Sequence, residues 1–543
     1  MIGLVTATAA GRRGADRLGV LGDVQTYDVR EIATAWRECD ALVCFLATGA
    51  VIRLLAPLLV DKTVDPGVVC VDEAYRFAVA LLGGHAGGAN TLAERVADVL
   101  AGTAVVTTAS DATGLAGLDT LGWPVEGDAA AVGRAMLDGV PVRLVADATW
   151  PLPPLPLDDA GTVVLQLTDR VVDGAVLRPP SLVVGLGASS GVSAEELEDL
   201  IVQVLEGFSP LSVTCVATVD AKRDEPGIVE VCRHRGWSLV TYAADALARM
   251  PVPNPSDAPM RAVGTPSVAE AAALLASGGD LVVEKRKSPM ATAAVARRRP
   301  RGRLALVGLG PGARDLLTPR AVVALRAASV WVGLDQYVEQ VRDLARTGTR
   351  FQITGLGQEE ERAHSAVRLA QQGHAVALIG SGDAGVYAMA SPALEVAGDD
   401  IDVDGIPGVT AALAAASLLG APLGHDHASI SLSDLHTPWG AIEQRVRAVA
   451  ESDLVVTFYN PRSRGRDWQL TKAVGILLEH RPAGTPVGIV TDASRAHETV
   501  VVTTLGGLDV EQVTMLACVV VGSSQTRLVA GRLVTPRGYR WAT

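Results

Sequence analysis

Residues 302–320 read GRLALVGLGPGARDLLTPR, and how their glycines are read decides the fold. The apolar run Leu304–Val307 is strand-like and ends in the loop Gly308–Gly312. Gly308, Gly310 and Ala313 satisfy G-x-G-x-x-A, a spacing used for dinucleotide phosphates, and Asp335 follows the apolar VWVG. In a dinucleotide loop, however, the helix begins inside the glycine turn, so that its N-terminus faces the pyrophosphate. Here the helix-start signal is Thr318-Pro319, a hydroxyl N-cap with proline at the first helical position, ahead of Val322, Val323 and Leu325. That start lies about eight residues too late for a phosphate, and Pro311 removes an amide donor. A nicotinamide oxidoreductase is therefore the weaker reading. A similar glycine loop, GLGASSG at 185–191, follows LVV at 182–184.

The chain has 543 residues, enough for three or four domains. Hydrophobic residues make up 49% and charged residues 20%, but no apolar run reaches the ~18 residues that span a bilayer. The start, MIGLVTATAAGRRG, puts apolar residues before arginines, the reverse of a secretory signal, and reads as a first strand and loop. Cys39, Cys44, Cys70, Cys215, Cys232 and Cys518 are scattered with no CxxC, so reduced buried thiols in a cytoplasmic protein are expected, without a metal site. The net charge of −13 and the 4% aromatic content argue against a nucleic-acid surface.

Strand-like runs alternate with Gly-containing loops and Ala-rich helical stretches throughout, the pattern of α/β sheets with crossover helices. The basic, proline-bearing stretch near Arg297–Gly302 is the clearest seam. A second Pro-rich stretch, WPLPPLPLDD, spans Trp150–Asp159. The expected division is 1–135, a middle or connector region 136–180, 181–296, a linker 297–302, and 303–543 with subdomains of about 303–425 and 426–543.

GLGPG…LLTPRA, SGDAGVYAMA, PGVTAA, FYNPRSRGR and VVVGSSQT stand in order across residues 302–538. This set resembles the tetrapyrrole methyltransferase family, and the Tyr459–Arg466 stretch with SLSDLHTPW (Ser431–Trp439) is similar to its precorrin-3B C17-methyltransferase branch. The resemblance implies two αβα subdomains around a cleft. It also implies S-adenosylmethionine as methyl donor, a precorrin as substrate, C17 methylation with ring contraction, and a homodimer formed through this half.

The cofactor positions implied are Pro311, Gly382, Asp383, Ala384, Tyr387, Thr410, Ala411, Tyr459, Asn460 and Val521. Asp383 and Thr410 have helix N-capping as their alternative role. Arginine forks suit the substrate's carboxylates, so Arg314, Arg462, Arg464 and Arg466, with the Gly310 loop, are the expected substrate contacts. Methyl transfer needs orientation more than a base. Ring contraction moves protons, and Asp315, Asp434, His436 and His497 are the acid/base candidates. His436 stands where the family pattern has an aliphatic residue.

Residues 1–300 contain TGAVIRLLAPLLVDKTVDPGVVCVDE (48–73), GGHAGGAN (83–90), ASDATGLAGLD (109–119), SAEELEDLI (193–201), TVDAKRDEPGI (218–228) and GTPSVAEAAAL (264–274). They resemble the cobalt-precorrin-5A hydrolase family, which implies hydrolase-like α/β domains opening a lactone on the contracted ring. His85 is then the candidate base, with Asp72 or Glu73 orienting it, and Asn90 reads as a helix N-cap. Lys222, Asp224 and Glu225 form a second polar cluster. Where that family carries a basic residue after the Gly185–Gly187 pair, this chain offers only Ser189 and Ser190. That difference leaves open a non-catalytic tetrapyrrole-binding role for the first 300 residues.

Overall fold

The strand–loop–helix alternation folds as open α/β sheets with helices against their faces. The computed structural model describes residues 1–61, 64–84, 87–108, 114–115, 117–118, 121–463 and 465–539. It divides into two units, one of residues 1–150, 154–300 and 346–348, the other of 151–153, 301–345 and 349–543. Among the described residues no helix is long and apolar enough to cross a membrane.

The first unit begins with the strand Ile2–Thr6, as the apolar start of the chain predicts, inside a six-stranded sheet. Val24–Asp28, Ile2–Thr6, Ala41–Phe45 and Gly67–Val71 run parallel in that spatial order. Every residue of Gly67–Val71 is buried, as a strand covered on both faces must be. The middle stretch 136–180 builds a four-stranded sheet from Val142–Ala146, Val163–Leu167 and Ala175–Leu177, joined by Val125–Glu126 from before it. A third sheet centres on Leu182–Ala188, parallel to Val213–Val219 on one side and antiparallel to Ala291–Arg297 on the other.

Three local expectations are corrected. GLGASSG is not a loop throughout, because the strand runs on through both glycines to Ala188. The glycines are there for packing: a Cβ on Gly185 would sit 1.9 Å from the Ala269 carbonyl oxygen of the helix Val268–Ser277. Asn90 is not an N-cap. The helix Ala89–Leu100 starts after Gly88 at φ 71°, a left-handed turn that glycine adopts freely, and the Asn90 amide donates instead to Thr108 Oγ1 at 2.9 Å. Arg297, placed in the linker by its sequence, is the last residue of the strand Ala291–Arg297.

An ion pair anchors that strand. The Arg297 guanidinium donates through Nε and Nη2 to Asp169 at 2.7 Å each, and Ser181 Oγ donates to the same carboxylate at 2.7 Å. Asp169 is 4% exposed, so this carboxylate depends on its partners. All six cysteines are buried and unpaired; burial pushes the Cys70 and Cys518 thiols up to about 12 and removes them as nucleophiles.

The second unit holds two five-stranded sheets. In the first, Arg350–Thr354, Val330–Leu334, Ala375–Gly380, Arg303–Gly308 and Asp402–Ile406 are all parallel. Its two faces carry separate apolar clusters, one around Leu306, Val332 and Leu378, the other around Val307, Trp331 and Ile379. The second sheet, ordered His427–Ser431, Val455–Tyr459, Ala517–Val521, Pro486–Thr491, Thr499–Thr504, is mixed.

Asp169→Ala should strand the Arg297 guanidinium and cost the first unit roughly 2–3 kcal/mol, discounted because Arg297 keeps some solvent access. Differential scanning calorimetry should show its transition at lower temperature, with the second unit's transition unmoved.

Candidate active site

Three neighbouring parallel strands, Asp402–Ile406, Arg303–Gly308 and Ala375–Gly380, send their following loops to the same end of the sheet, where ligands collect in open α/β folds. The loops meet main chain to main chain. The Gly310 amide donates to the Gly382 carbonyl at 2.9 Å, and the Gly382 amide returns a bond to the Gly310 carbonyl at 2.8 Å. Both glycines are left-handed, at φ 77° and 66°. A Cβ on Gly308 would lie 2.7 Å from the Gly382 oxygen, and one on Gly408 would lie 2.2 Å from it. Only glycine at 308 and 408 lets the three turns come this close.

The helix after the GLGPG loop begins at Pro319, with Thr318 Oγ1 accepting from the Ala321 amide at 3.2 Å. The α-helix that follows this loop therefore does not begin inside the glycine turn, as a dinucleotide loop requires.

Asp383 ties the second and third loops together. Its Oδ1 accepts from the Gly385 amide at 2.8 Å and its Oδ2 from the Gly408 amide at 3.0 Å. It does not cap a helix: the next one, Ala390–Val396, starts seven residues on. Ala384 beside it is buried in the apolar cluster.

Thr410 occupies the N-cap position of the helix Ala411–Leu419, yet its hydroxyl does not cap that helix. Tyr459, from the other sheet, does so. Its phenol oxygen accepts from the Ala412 amide at 2.8 Å and shares a 2.6 Å hydrogen bond with Thr410 Oγ1. One of the helix's free amides is thus satisfied by a side chain of the sheet on which the helix packs. Tyr387 stands against Tyr459, with ring centroids 5.1 Å apart, and donates to the Ser429 carbonyl at 2.8 Å. Burial raises the pKa of both phenols, which keeps them neutral at ordinary pH.

A polar cluster lies next to the tyrosines. Asn460, left-handed at φ 48°, donates to Ser431 Oγ at 3.1 Å. The Arg466 guanidinium donates to the Asn460 carbonyl; burial lowers its pKa while nearby Asp434 opposes that shift. Asp434 accepts from Gln469 Nε2 at 3.0 Å. Asp434, Asn460 and Arg466 are therefore brought together, joined by Ser431 and Gln469.

Other expected residues are not. His436, Asp315 and His497 are exposed. Arg314 is spent on Asp343, and Arg462 on the Val510 carbonyl and Glu511. Val521 is fully buried in the core of the second sheet. Pro311 takes part through its carbonyl, which accepts from Arg495 Nε at 2.8 Å. Arg495 was missed from sequence. It also reaches Ser381 Oγ at 3.3 Å, so one side chain from beyond the strand Pro486–Thr491 holds two of the loops. Asp492 and Ser494 just before it are left-handed non-glycines, a backbone feature that the residue types do not announce.

In the first unit, His85 and Arg464 of the second lie outside the described residues. Glu73 accepts from Thr8 Oγ1 at 2.8 Å, and Asp72 closes its own turn through the Ala74 and Phe77 amides. Lys222 places its ammonium 2.9 Å from Ser190 Oγ and 2.8 Å from Glu225. A basic group thus reaches this loop from the turn Asp220–Lys222.

Comparison with known proteins follows the same division. Residues 303–509 match the model for tetrapyrrole (corrin/porphyrin) methylases, residues 182–296 that for the cobalamin synthesis G C-terminus, and residues 30–111 that for its N-terminal part. A relative from Salmonella typhimurium, described as a probable cobalt-factor III C(17)-methyltransferase, is 49% identical over 44% of this chain and 99% of its own length. A precorrin-3B C(17)-methyltransferase from Sinorhizobium is 37% identical over 45% of this chain and 99% of its own. The solved methyltransferase CobJ is 37% identical, covering 43% of this chain and 98% of that one, with a TM-score of 0.41.

Tyr459→Phe should leave the Ala412 amide without its acceptor and cost about 1–3 kcal/mol. Circular dichroism melting of the variant should show that loss, and amide exchange should quicken at the start of helix Ala411–Leu419. On these matches the chain belongs to the tetrapyrrole (corrin/porphyrin) methylase family, with cobalamin synthesis G domains in the same polypeptide.

Proposed function

We propose that residues 303–543 catalyse S-adenosylmethionine-dependent C17 methylation, with ring contraction, of precorrin-3B or its cobalt form in cobalamin synthesis. Residues 1–296 are then a lactone-opening module fused to it, with 181–296 as its second domain. The observation that carries the first reading is the triple glycine cradle at Gly308, Gly382 and Gly408, in a chain matching a C17-methyltransferase over that relative's whole length.

The cradle suits the methyl donor. Gly382 is left-handed, and a Cβ there would look across to Thr410 Cα at 3.7 Å and the Ala411 amide nitrogen at 3.8 Å. Main-chain groups of the loops thus border a space that no side chain enters from Gly382. S-adenosylmethionine supplies an electrophilic methyl, which the ring carbon takes by in-line displacement. The protein's task is orientation, an effect that can supply ~7–11 kcal/mol. Asp383 positions the second loop against the third, Tyr387 and Tyr459 wall the space with neutral rings, and Arg495 clamps the GLGPG loop. Asp434, beside the Arg466 guanidinium, is the acid/base group for ring contraction, because it is the candidate carboxylate or imidazole drawn into a polar cluster.

Lys222 supports a working first module. The alternative, a non-catalytic binding role, stands on the missing basic residue; Lys222, paired with Glu225, reaches Ser190 Oγ from a neighbouring turn. Pairing of two copies through the methyltransferase half rests on the family resemblance; sedimentation equilibrium reads it directly.

S-adenosylhomocysteine should raise the melting temperature of the full chain and NADH should not; stabilisation by NADH alone would sink the methyltransferase reading. Asp383→Asn should weaken S-adenosylhomocysteine about tenfold in calorimetric titration, since one loop-bridging acceptor is replaced by a donor. Asp434→Asn should leave that affinity intact and still lose the contracted-ring absorbance spectrum. Labelled methyl donor offered with each macrocycle, followed by mass spectrometry, distinguishes the metal-free from the cobalt substrate.

A further inference from the structure

A cavity of about 590 Å³ opens at the carboxyl ends of Leu182–Ala188 and Val213–Val219. That is the end of an α/β sheet where ligands are held. Lys222, Lys285 and Lys287 all line it. The whole sequence has five lysines, Lys62, Lys222, Lys285, Lys287 and Lys472, among 47 Lys and Arg residues. Cations elsewhere are nearly all arginine, so three lysines at one cavity are a local departure from the chain's habit. Lysine brings a compact, flexible point charge, where arginine brings a planar fork.

The fold aims them at one space. Lys285 and Lys287 are two apart on the strand Asp280–Lys287 and so share a face. Arg286 between them turns away and donates to the Gln203 carbonyl at 3.1 Å. Lys222 follows directly on Val213–Val219 and is neutralised by Glu225, whose other oxygen takes the Gly191 amide at 2.7 Å. The other two lack such a partner: among the described residues neither Lys285 nor Lys287 forms an ion pair. Glu270 is fully buried nearby, but it is occupied by the Asn254 side chain and by the Lys285 main-chain amide, at 2.8 and 3.1 Å. The Lys285 ammonium donates to the Asn254 carbonyl; burial lowers its pKa, and the Glu270 carboxylate opposes that shift. Pro259, Val263, Val268 and Met290 give the same cavity an apolar wall.

We infer that this cavity binds an amphipathic organic polycarboxylate, its carboxylates on Lys285 and Lys287 and its hydrocarbon body against the Pro259–Met290 wall. A second contact is available from the Lys222–Ser190 pair. That the natural occupant is a corrin-type ring with acid side chains rests on the function proposed above; the site's chemistry does not.

Hydrogen–deuterium exchange on the full chain tests it, with coproporphyrin, a ring bearing four propionates, as probe. Residues 284–292 and 187–191 should be protected, and Lys287→Met should weaken that protection about tenfold. Lys287 is exposed and its side chain forms no ion pair among the described residues, so its variant should fold normally; Lys285→Met is the second variant. The tetramethyl ester of the same ring should protect neither stretch. Equal protection by the ester, equal protection by inorganic phosphate, or indifference to both substitutions would each overturn the inference. Stabilisation by S-adenosylhomocysteine is read in the same samples. Its loss alone would strike the methyltransferase reading and leave this one standing.

Discussion

Everything at the candidate active site depends on three backbone turns that touch without side chains between them. Gly308, Gly382 and Gly408 lie so close that a single added carbon at 308 or 408 would meet the Gly382 carbonyl inside 3 Å. The reciprocal bonds between Gly310 and Gly382 then make the first two loops behave as a short strand pair beyond the sheet's edge. A surface built from peptide groups is stiff, because it has no rotamers to order when a ligand arrives. The stiffness is extended by Asp383, whose two oxygens satisfy amides on different loops, and by Arg495 from the second sheet.

The same logic explains why Tyr459 is more than a wall. The helix Ala411–Leu419 begins with a threonine that does not cap it, so an amide at its start needs an acceptor. The phenol that provides it comes from the end of the strand Val455–Tyr459. That helix lays Ala414, Ala415 and Leu419 on the same mixed sheet, against Val455, Val490, Cys518 and Val520, so the phenol fixes the helix start to the sheet beneath it.

Much of this was legible beforehand because it is local. Thr318-Pro319 marks a helix start by its own chemistry, and the delay between the glycines and that start excludes a phosphate loop without any coordinates. The alternation of apolar runs with Ala-rich stretches fixes the sheet-and-helix class. What was not legible depends on distance in the chain. Arg495 lies 184 residues from the Pro311 carbonyl it holds, with no pattern near it to mark the partnership. Glycine proved ambiguous in kind: at 308 and 408 it admits a loop, at 185 a helix, and at 88 a left-handed turn, three uses of one residue. The arginines after Tyr459 show the limit for charges. Arg462 and Arg466 read alike in sequence, yet one is held by Glu511 at the margin and the other is drawn inward onto Asn460.

On the proposed function, the electrostatics of the cradle follow from the charge of its ligand. A sulfonium is a fixed cation that cannot be neutralised by losing a proton, so a free guanidinium pointing at it would oppose binding. Three arginines near these loops have partners: Arg314 has Asp343, Arg495 a carbonyl and a hydroxyl of the loops themselves, and Arg466 a carbonyl beside Asp434. Tyr387 and Tyr459 stand against each other beside these loops, and a tyrosine ring can attract a cation by roughly 0.5–2 kcal/mol. Burial raises the pKa of both phenols, so they meet the sulfonium as neutral rings, without a formal counter-ion. That choice has a kinetic consequence. Once the methyl leaves, the neutral thioether loses its attraction to the rings while the peptide contacts to the rest of the molecule remain. On that reading, the charge-dependent part of the binding energy is lost when the methyl is transferred.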